Sequence, residues 1–344
     1  MSVVWYQDPC IDIGPIISTR VRLARNIKNY PFRAKLSEDQ ARDLIKEATA
    51  AVMGGQTDWA DRFNTVESVR YKGLDQRLFL EKHIISREFG KNEMPSGLLL
   101  QDDFNASIMI NEEDHIRIQV INPGDDINAS WETANRIDDL IEESVEFAFD
   151  KDYGYLTACP TNVGTGMRAS FMIHLPMLEK TGQLKKLLPT ISKFGIAIRG
   201  LYGEGSESMG GIFQISNQIT LGKSEQDIIQ GLQGVTKNVI DKENWLCEGM
   251  MEHHRLEVEN TVYQSYGILA YSRKITVKEA MDMLSEIRMG YALGIIDLPR
   301  PDKTFYQIMM EIQPGHLSRA TGLDPEEIRE DVLRAEYLRN IFNH

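Results

Sequence analysis

Residues 106–121 read Ala106-Ser107-Ile108-Met109-Ile110-Asn111-Glu112-Glu113-Asp114-His115-Ile116-Arg117-Ile118-Gln119-Val120-Ile121. Two apolar runs, 106–110 and 115–121, flank four polar residues, Asn111 to Asp114. The pattern predicts a β-hairpin with carboxylates at its turn. Arg117 alternates with Ile116 and Ile118, so it points away from their apolar side.

Further strands are expected at 155–158, 194–199 and 211–216. Helix starts are marked by side chains that cap backbone N–H groups. Ser37 with Gln40 precedes Ala41, Leu44, Ile45 and Ala48. Trp131, Ala134, Ile137, Ile141, Val145 and Ala148 form a helical stripe. Ser224 with Asp227 opens a helix carrying Ile228, Ile229, Leu232 and Val235. Thr276 with Glu279 opens one that stops near Gly290, and Asp324-Pro325 opens the last. Strands and helices mix from about 10 to 220, whereas the stretch after about 224 reads as helix. The expected division is 1–256 and 257–344.

The 344 residues carry 38 Lys+Arg against 51 Asp+Glu, a net charge of −13. That balance argues against non-specific nucleic-acid or membrane binding. Cys10, Cys159 and Cys247 are too scattered for a disulfide framework or a metal cage, and fit a reducing cytoplasm. No signal peptide and no membrane-spanning run is expected. His253 and His254 lack a metal-ligand spacing and read as a solvated helix face.

Two phosphate-loop look-alikes fail. Gly222-Lys223-Ser224 needs a glycine five positions earlier, where Asn217 stands, and Ser224 reads better as a helix cap. Gly164-Thr165-Gly166 lacks the acidic residue that a dinucleotide site requires about 20 positions on.

Arginines gather at strand edges and turns. Arg20 and Arg22 lie two apart in an extended run and so share a face. Arg168 follows a glycine turn, and Arg199 precedes Gly200-Leu201-Tyr202-Gly203-Glu204. Guanidinium forks bind phosphate oxygens bidentately and stay charged, so a polyphosphate explains the gathering. Arg25 is left as a surface ion pair. Carboxylates at Glu113 and Glu204 suit a guanidinium, which must be held planar and must lose a proton before attacking phosphorus.

These stretches resemble the phosphagen (guanidino) kinases. The matching runs are 18–25, 111–117, 159–170 and 199–204, the last leading to Ile215-Ser216-Asn217. The resemblance implies an α+β fold: an antiparallel β-sheet flanked by helices, with a C-terminal helical domain added here. It implies ATP and Mg²⁺, with no dedicated protein metal site. Arg20, Arg22, Arg117, Arg168 and Arg199 would hold the nucleotide phosphates. Ser18, Thr19, Val21, His83, Ala169, Ser170, Gly200, Leu201, Tyr202 and Gly203 would complete the nucleotide site. Phe171 and Met172 belong to it too, where small-guanidine kinases have a histidine. Glu113 would be the base, Glu204 its partner in clamping the guanidinium, and Cys159 their neighbour.

The first arginine motif begins at residue 18, leaving no room for the N-terminal domain of small-guanidine kinases. The arrangement resembles bacterial protein-arginine kinases, whose substrates are arginines on proteins. That likeness implies a stress-response repressor or unfolded proteins as substrates, a zinc-binding activator, a Clp-type protease and a homodimer. Residues 330–335 resemble that family's regulatory phosphoarginine motif. Asp331, Arg334 and Ala335 match, whereas Glu330 replaces an arginine and Arg329 comes one position early. The expectation is a weakened or absent pocket, with Ile328, Leu333, Leu338 and Ile341 packing an amphipathic helix. A small-guanidine kinase and a non-catalytic phosphoarginine-reading adaptor stand as alternatives.

Overall fold

The computed structural model describes residues 4–54, 60–72, 75–201, 208–297, 300, 302–322 and 329–343. Their strands are β1 (Ile16–Arg25), β2 (Phe63–Thr65), β3 (Gly97–Gln101), β4 (Ala106–Ile110), β5 (Ile116–Pro123), β6 (Phe149–Asp150), β7 (Gly154–Tyr155), β8 (Met167–His174), β9 (Ile196–Gly200) and β10 (Ile212–Asn217). Eight form one antiparallel sheet in the order β2-β3-β4-β5-β1-β8-β10-β9. Strands β6 and β7 make a separate hairpin.

The helices among these residues are α1 (Glu38–Met53), α2 (Ser68–Lys72), α3 (Gln76–Glu81), α4 (Arg87–Gly90), α5 (Ile127–Glu142), α6 (Pro176–Lys180), α7 (Gln183–Ser192), α8 (Glu225–His253), α9 (Arg255–Tyr271), α10 (Val277–Ala292), α11 (Phe305–Glu311), α12 (Pro314–Thr321) and α13 (Glu330–Phe342). After Ser224 the described residues contain helices and connections alone.

Local chemistry accounts for the boundaries. Ser37 and Gln40 form a complete capping box on α1, and Thr276 and Glu279 form one on α10. Ser224 Oγ accepts from Asp227 N–H at 3.1 Å, and the Asp227 carboxylate accepts from Ser224 N–H in return. This residue is therefore a helix cap. The predicted hairpin pairs Ala106 with Val120 and Ile110 with Ile116.

Several expected boundaries shift. His115 lies in the turn, because its N–H donates to the Asn26 side chain at 2.9 Å. The stripe reaching Ala148 stops at Glu142. Ala148 instead donates to Asn26 O at 2.7 Å and accepts from Leu156 N–H at 2.9 Å. The run 155–158 has only Tyr155 in a strand, as Ala158 N–H turns to the Asp114 carboxylate. β9 starts at Ile196, after Gly195 at φ 71°. The expected start of the last helix at Asp324-Pro325 and the packing residue Ile328 lie outside the described residues.

The chain divides into two compact units. The first holds Trp5, Thr19–Ser170 and Ser216–Leu232. The second holds Tyr6–Ser18, Phe171–Ile215 and the chain from Gln233 onward. In the first, Tyr71, Phe79, Ile84, Ile85, Phe89, Leu98, Leu100 and Met109 make a buried cluster beside the β3–β4 pair. Burying each such large side chain stabilises by about 1.5–3 kcal/mol.

In the second unit, α9 and α10 approach at Gly290, where a Cβ would meet Val262 Cγ1 at 2.6 Å. Buried Arg288 donates to Ile11 O and Gly14 O, each at 2.7 Å. Arg334, also buried, donates to Ile312 O at 3.0 Å, Ile275 O at 3.1 Å and Asp331 at 2.9 Å. It ties α13 to the segments preceding α10 and α12.

Candidate active site

β1 presents Arg20 and Arg22 on one face, half-exposed, between the buried Thr19, Val21 and Leu23. β5 adds Arg117 and β8 adds Arg168. With Glu113, Cys159, Thr161, Asn162, Ala24 and Gly166, the residues Arg22, Arg117 and Arg168 line a cavity of about 250 Å³. Arg22 Nε is buried without a hydrogen-bond partner. Its guanidinium is held well below the ordinary arginine value by burial, then by the charges of Arg20, Arg117 and Arg168, with Glu112 opposing. A pocket that gathers several guanidinium groups suits an oligoanion.

The turn after β4 carries the carboxylates. Asn111 takes φ 60°, and its side-chain amide donates to Ala41 O and Pro95 O at 3.2 and 3.0 Å. Glu112 is buried. It accepts from Ser86 Oγ at 2.5 Å, Arg117 Nη1 at 2.7 Å and Glu113 N–H at 2.7 Å. The Glu113 side chain is 42% exposed, with Oε2 accepting from Arg117 Nη2 at 3.1 Å. Among the described residues nothing bonds its Oε1. One carboxylate is thus locked and the next one reaches into the cavity.

Asp114 fixes Cys159 relative to this turn. Its Oδ1 accepts from Asn26 Nδ2 at 2.7 Å and Ala158 N–H at 2.6 Å. Cys159 is half-buried, and its Sγ lies 3.0 Å from Thr161 Oγ1. The Gly164-Thr165-Gly166 loop serves close packing. At φ 63°, a Cβ on Gly166 would sit 2.6 Å from Ala24 O and 2.7 Å from Arg25 Nη1.

Arg25 is not the surface ion pair expected of it. It is buried, bonds Asp138 Oδ2 through Nη2 at 2.7 Å, and stacks 3.5 Å from the Tyr155 ring. Burial pushes the Asp138 carboxyl up to about 6, against the lowering effect of Arg25. The sequence set Arg25 apart from Arg22 but placed its ion pair at the surface, because its partner Asp138 is 113 residues away.

His83 has φ 57° and its ring centroid lies 6.5 Å from that of Trp5. Burial first, then Arg20 and Arg87, lower its pKa to about 3, so the ring stays neutral. Ser18, Thr19, Val21, Ala169, Ser170, Phe171 and Met172 are all buried in their strands. Arg199 and Gly200 end β9, followed by Leu201. Tyr202, Gly203 and Glu204 lie outside the described residues. On α13, Glu330 and Asp331 face Arg334 at 3.8 and 2.9 Å, and Ala335 is buried.

Sequence reasoning missed the roles of Ser86, Asn92, Asn26 and Asp114. Asn111 and Asp114 stood in the quoted motif, but their side chains bond partners 16 to 88 residues away and left no local pattern. Among the described residues no three His, Cys, Asp or Glu side chains converge as a metal site. No described helix is long and apolar enough to cross a membrane.

The cavity thus joins three arginines to the partly exposed Glu113 carboxylate. Residues 43–246 match the ATP:guanido phosphotransferase C-terminal catalytic domain, and 255–344 match the protein-arginine kinase McsB C-terminal domain. The chain belongs to the protein-arginine kinase family. It is 42% identical to the protein-arginine kinase of Caldanaerobacter subterraneus subsp. tengcongensis over 96% of this chain and 98% of that one. It is 40% identical to that of Brevibacillus brevis, covering 97% and 94%. Among solved structures it resembles lombricine kinase, at 25% identity and TM-score 0.61 over 72% of this chain and 70% of that one. The duplicated taurocyamine kinase of Schistosoma mansoni shares the fold at 24% identity and TM-score 0.63. There the match covers 75% of this chain and 38% of that one.

Proposed function

We propose that this chain transfers the γ-phosphoryl group of ATP to guanidinium groups of arginine side chains in proteins. The observation that carries the proposal is Glu113, which lines the arginine cavity with its side chain 42% exposed and its Oε2 on Arg117. Arg22, Arg117 and Arg168, with Arg20 beside them and Arg199 on its own strand, hold the phosphates. Glu113 orients the guanidinium and takes its proton. A nitrogen–phosphorus bond forms while the bond from phosphorus to the β–γ bridging oxygen breaks, and ADP departs with that electron pair. Positioning and charge neutralisation provide most of the rate enhancement in such a transfer.

Glu204, by family resemblance, is the second carboxylate on the guanidinium, and Cys159 borders the reacting nitrogen. Mg²⁺ would accompany ATP, held mainly by phosphate oxygens and water, and would supply charge neutralisation. Neutral His83 borders the nucleotide without adding a titrating charge.

In this reading residues 1–256 are the catalytic domain and 257–344 a helical domain for dimerisation and regulation. The buried bonds of Arg334 support a packing role for 330–335 over a phosphoarginine pocket. The wider setting is bacterial cytoplasmic stress response. A transcriptional repressor or unfolded proteins are the substrates, a zinc-binding protein activates, and a Clp-type protease reads the mark.

The test is a paired assay with ATP and Mg²⁺. One tube holds an unfolded arginine-containing protein and the other holds free arginine and creatine. Mass spectrometry under conditions that preserve nitrogen–phosphorus bonds should find phosphate on protein arginines. Phosphate on the free guanidines alone would replace this reading with a small-guanidine kinase.

A further inference from the structure

Glu113 also lines a second, larger concavity of about 560 Å³, on whose walls stand Arg33, Glu88, Lys91, Glu93 and Met94. Its size falls within the range of ligand-binding clefts. Its walls are joined to the catalytic turn. Asn92, almost fully buried, accepts from Arg33 Nη2 and from Met94 N–H at 3.0 Å, and donates to Asn111 O. Ser86 Oγ caps α4 by accepting from Phe89 N–H at 2.9 Å, and the same hydroxyl donates to Glu112.

A guanidinium at Glu113 that faces the arginine-lined cavity must leave by another side. Its methylenes and main chain then need a second opening that begins at the same carboxylate. We infer that the concavity formed by Arg33, α4 and 91–94 receives the polypeptide segment flanking the target arginine. The inference rests on the proposed function and specifies where its protein substrate lies. Exposed charges of both signs, Lys91 beside Glu88 and Glu93, suit a polar extended segment more than an apolar one. A small guanidine has no such segment and would make no use of these walls.

The experiment compares Nα-acetyl-arginine amide with a short neutral peptide containing one arginine, using MgATP and the full-length protein. Wild type should phosphorylate the peptide with the higher kcat/KM. Glu93→Trp and Met94→Trp, each separately obstructing the concavity, should lower kcat/KM for the peptide about tenfold, ~1.4 kcal/mol. That loss should appear in KM, while the amide and the KM for ATP stay within about twofold, inside the usual size of a peripheral effect. Two variants guard against a single folding defect, which would depress both substrates alike. Equal loss on both substrates, no loss on either, or a wild type that does not prefer the peptide would overturn the inference. Transfer to neither substrate by wild type would overturn the arginine-kinase reading, and this inference with it.

Discussion

The carboxylate of Glu112 receives the backbone N–H of Glu113 at 2.7 Å, while also holding Arg117 and Ser86. One buried residue thus holds both Arg117, an arginine of the cavity lining, and the backbone of the carboxylate residue beside it. Its three accepted bonds, from Ser86, Arg117 and the Glu113 N–H, make it a positioning residue. Glu112→Gln puts an N–H₂ where one of these donors points, and a misplacement near 1 Å costs about 10²-fold in rate. The expected outcome is a kcat reduced on that order, with the KM for ATP also raised because Arg117 keeps only one of its two carboxylate partners, Glu113. Steady-state kinetics on an arginine-containing protein measure both. Unchanged kinetics would remove Glu112 from the machinery.

Arg22 lies among Arg20, Arg117 and Arg168 without a partner for its Nε. Like charges held together in a partly dry site oppose folding until an anion arrives. Arg22→Met should therefore raise the melting temperature of the ligand-free protein while abolishing transfer. ATP or pyrophosphate should stabilise wild type by ~2.7 kcal/mol at about 100 times Kd, and so raise its melting temperature. That response should be much smaller in the variant. A variant that melts lower than wild type would show that Arg22 supports the fold.

The Arg25–Asp138 pair is a buried structural bridge. Removing one partner of such a pair costs about 3–5 kcal/mol, because the other stays buried and charged. Asp138→Ala should lose that much in urea unfolding. Arg25→Lys should also lose stability, since it forfeits the stacking on Tyr155. An Asp138→Ala loss below about 1 kcal/mol, the size of a surface pair, would contradict the burial argument.

His115 gives a pH dependence. Its Nδ1 accepts from Ile27 N–H at 3.1 Å and its Nε2 faces Pro31 O at 3.0 Å, an arrangement that fits the neutral ring. Burial lowers its pKa, against the raising effects of Pro31 and Asp114. A depressed folded-state pKa means the unfolded chain binds more protons. Its contribution is then fully present above about 6.5 and is lost as pH falls through the folded value. Between pH 7 and 5.5, wild type should lose more stability than His115→Gln, by up to ~1.4 kcal/mol per pH unit. Parallel slopes would remove His115 as the source.

The hairpin at 106–121, the caps at Ser37 and Thr276, and the shared face of Arg20 and Arg22 were legible in the sequence. Each depends on residues a few positions apart. The end of α5 was not, because Ala148 is drawn into pairing with Asn26, over a hundred residues earlier. Arg25 was set apart from Arg22, yet its ion pair with Asp138 is buried, while Arg22 lines the cavity. The environments of Glu112 and Glu113 were equally hidden, since Arg117 holds both and Ser86, 26 residues away, bonds Glu112. Glu204 is an expectation from the motif alone, outside the described residues.

The central claim is that Glu113 acts on the guanidinium while the arginines hold the nucleotide. The most direct measurement pairs single-turnover phosphoryl transfer to an arginine-containing protein with the Kd for ATP, in wild type and Glu113→Gln. A positioned general base contributes about 10²–10⁴-fold. Transfer should fall by that factor while the Kd for ATP changes by less than about threefold, well under 1 kcal/mol. Transfer at the wild-type rate in Glu113→Gln would contradict the claim.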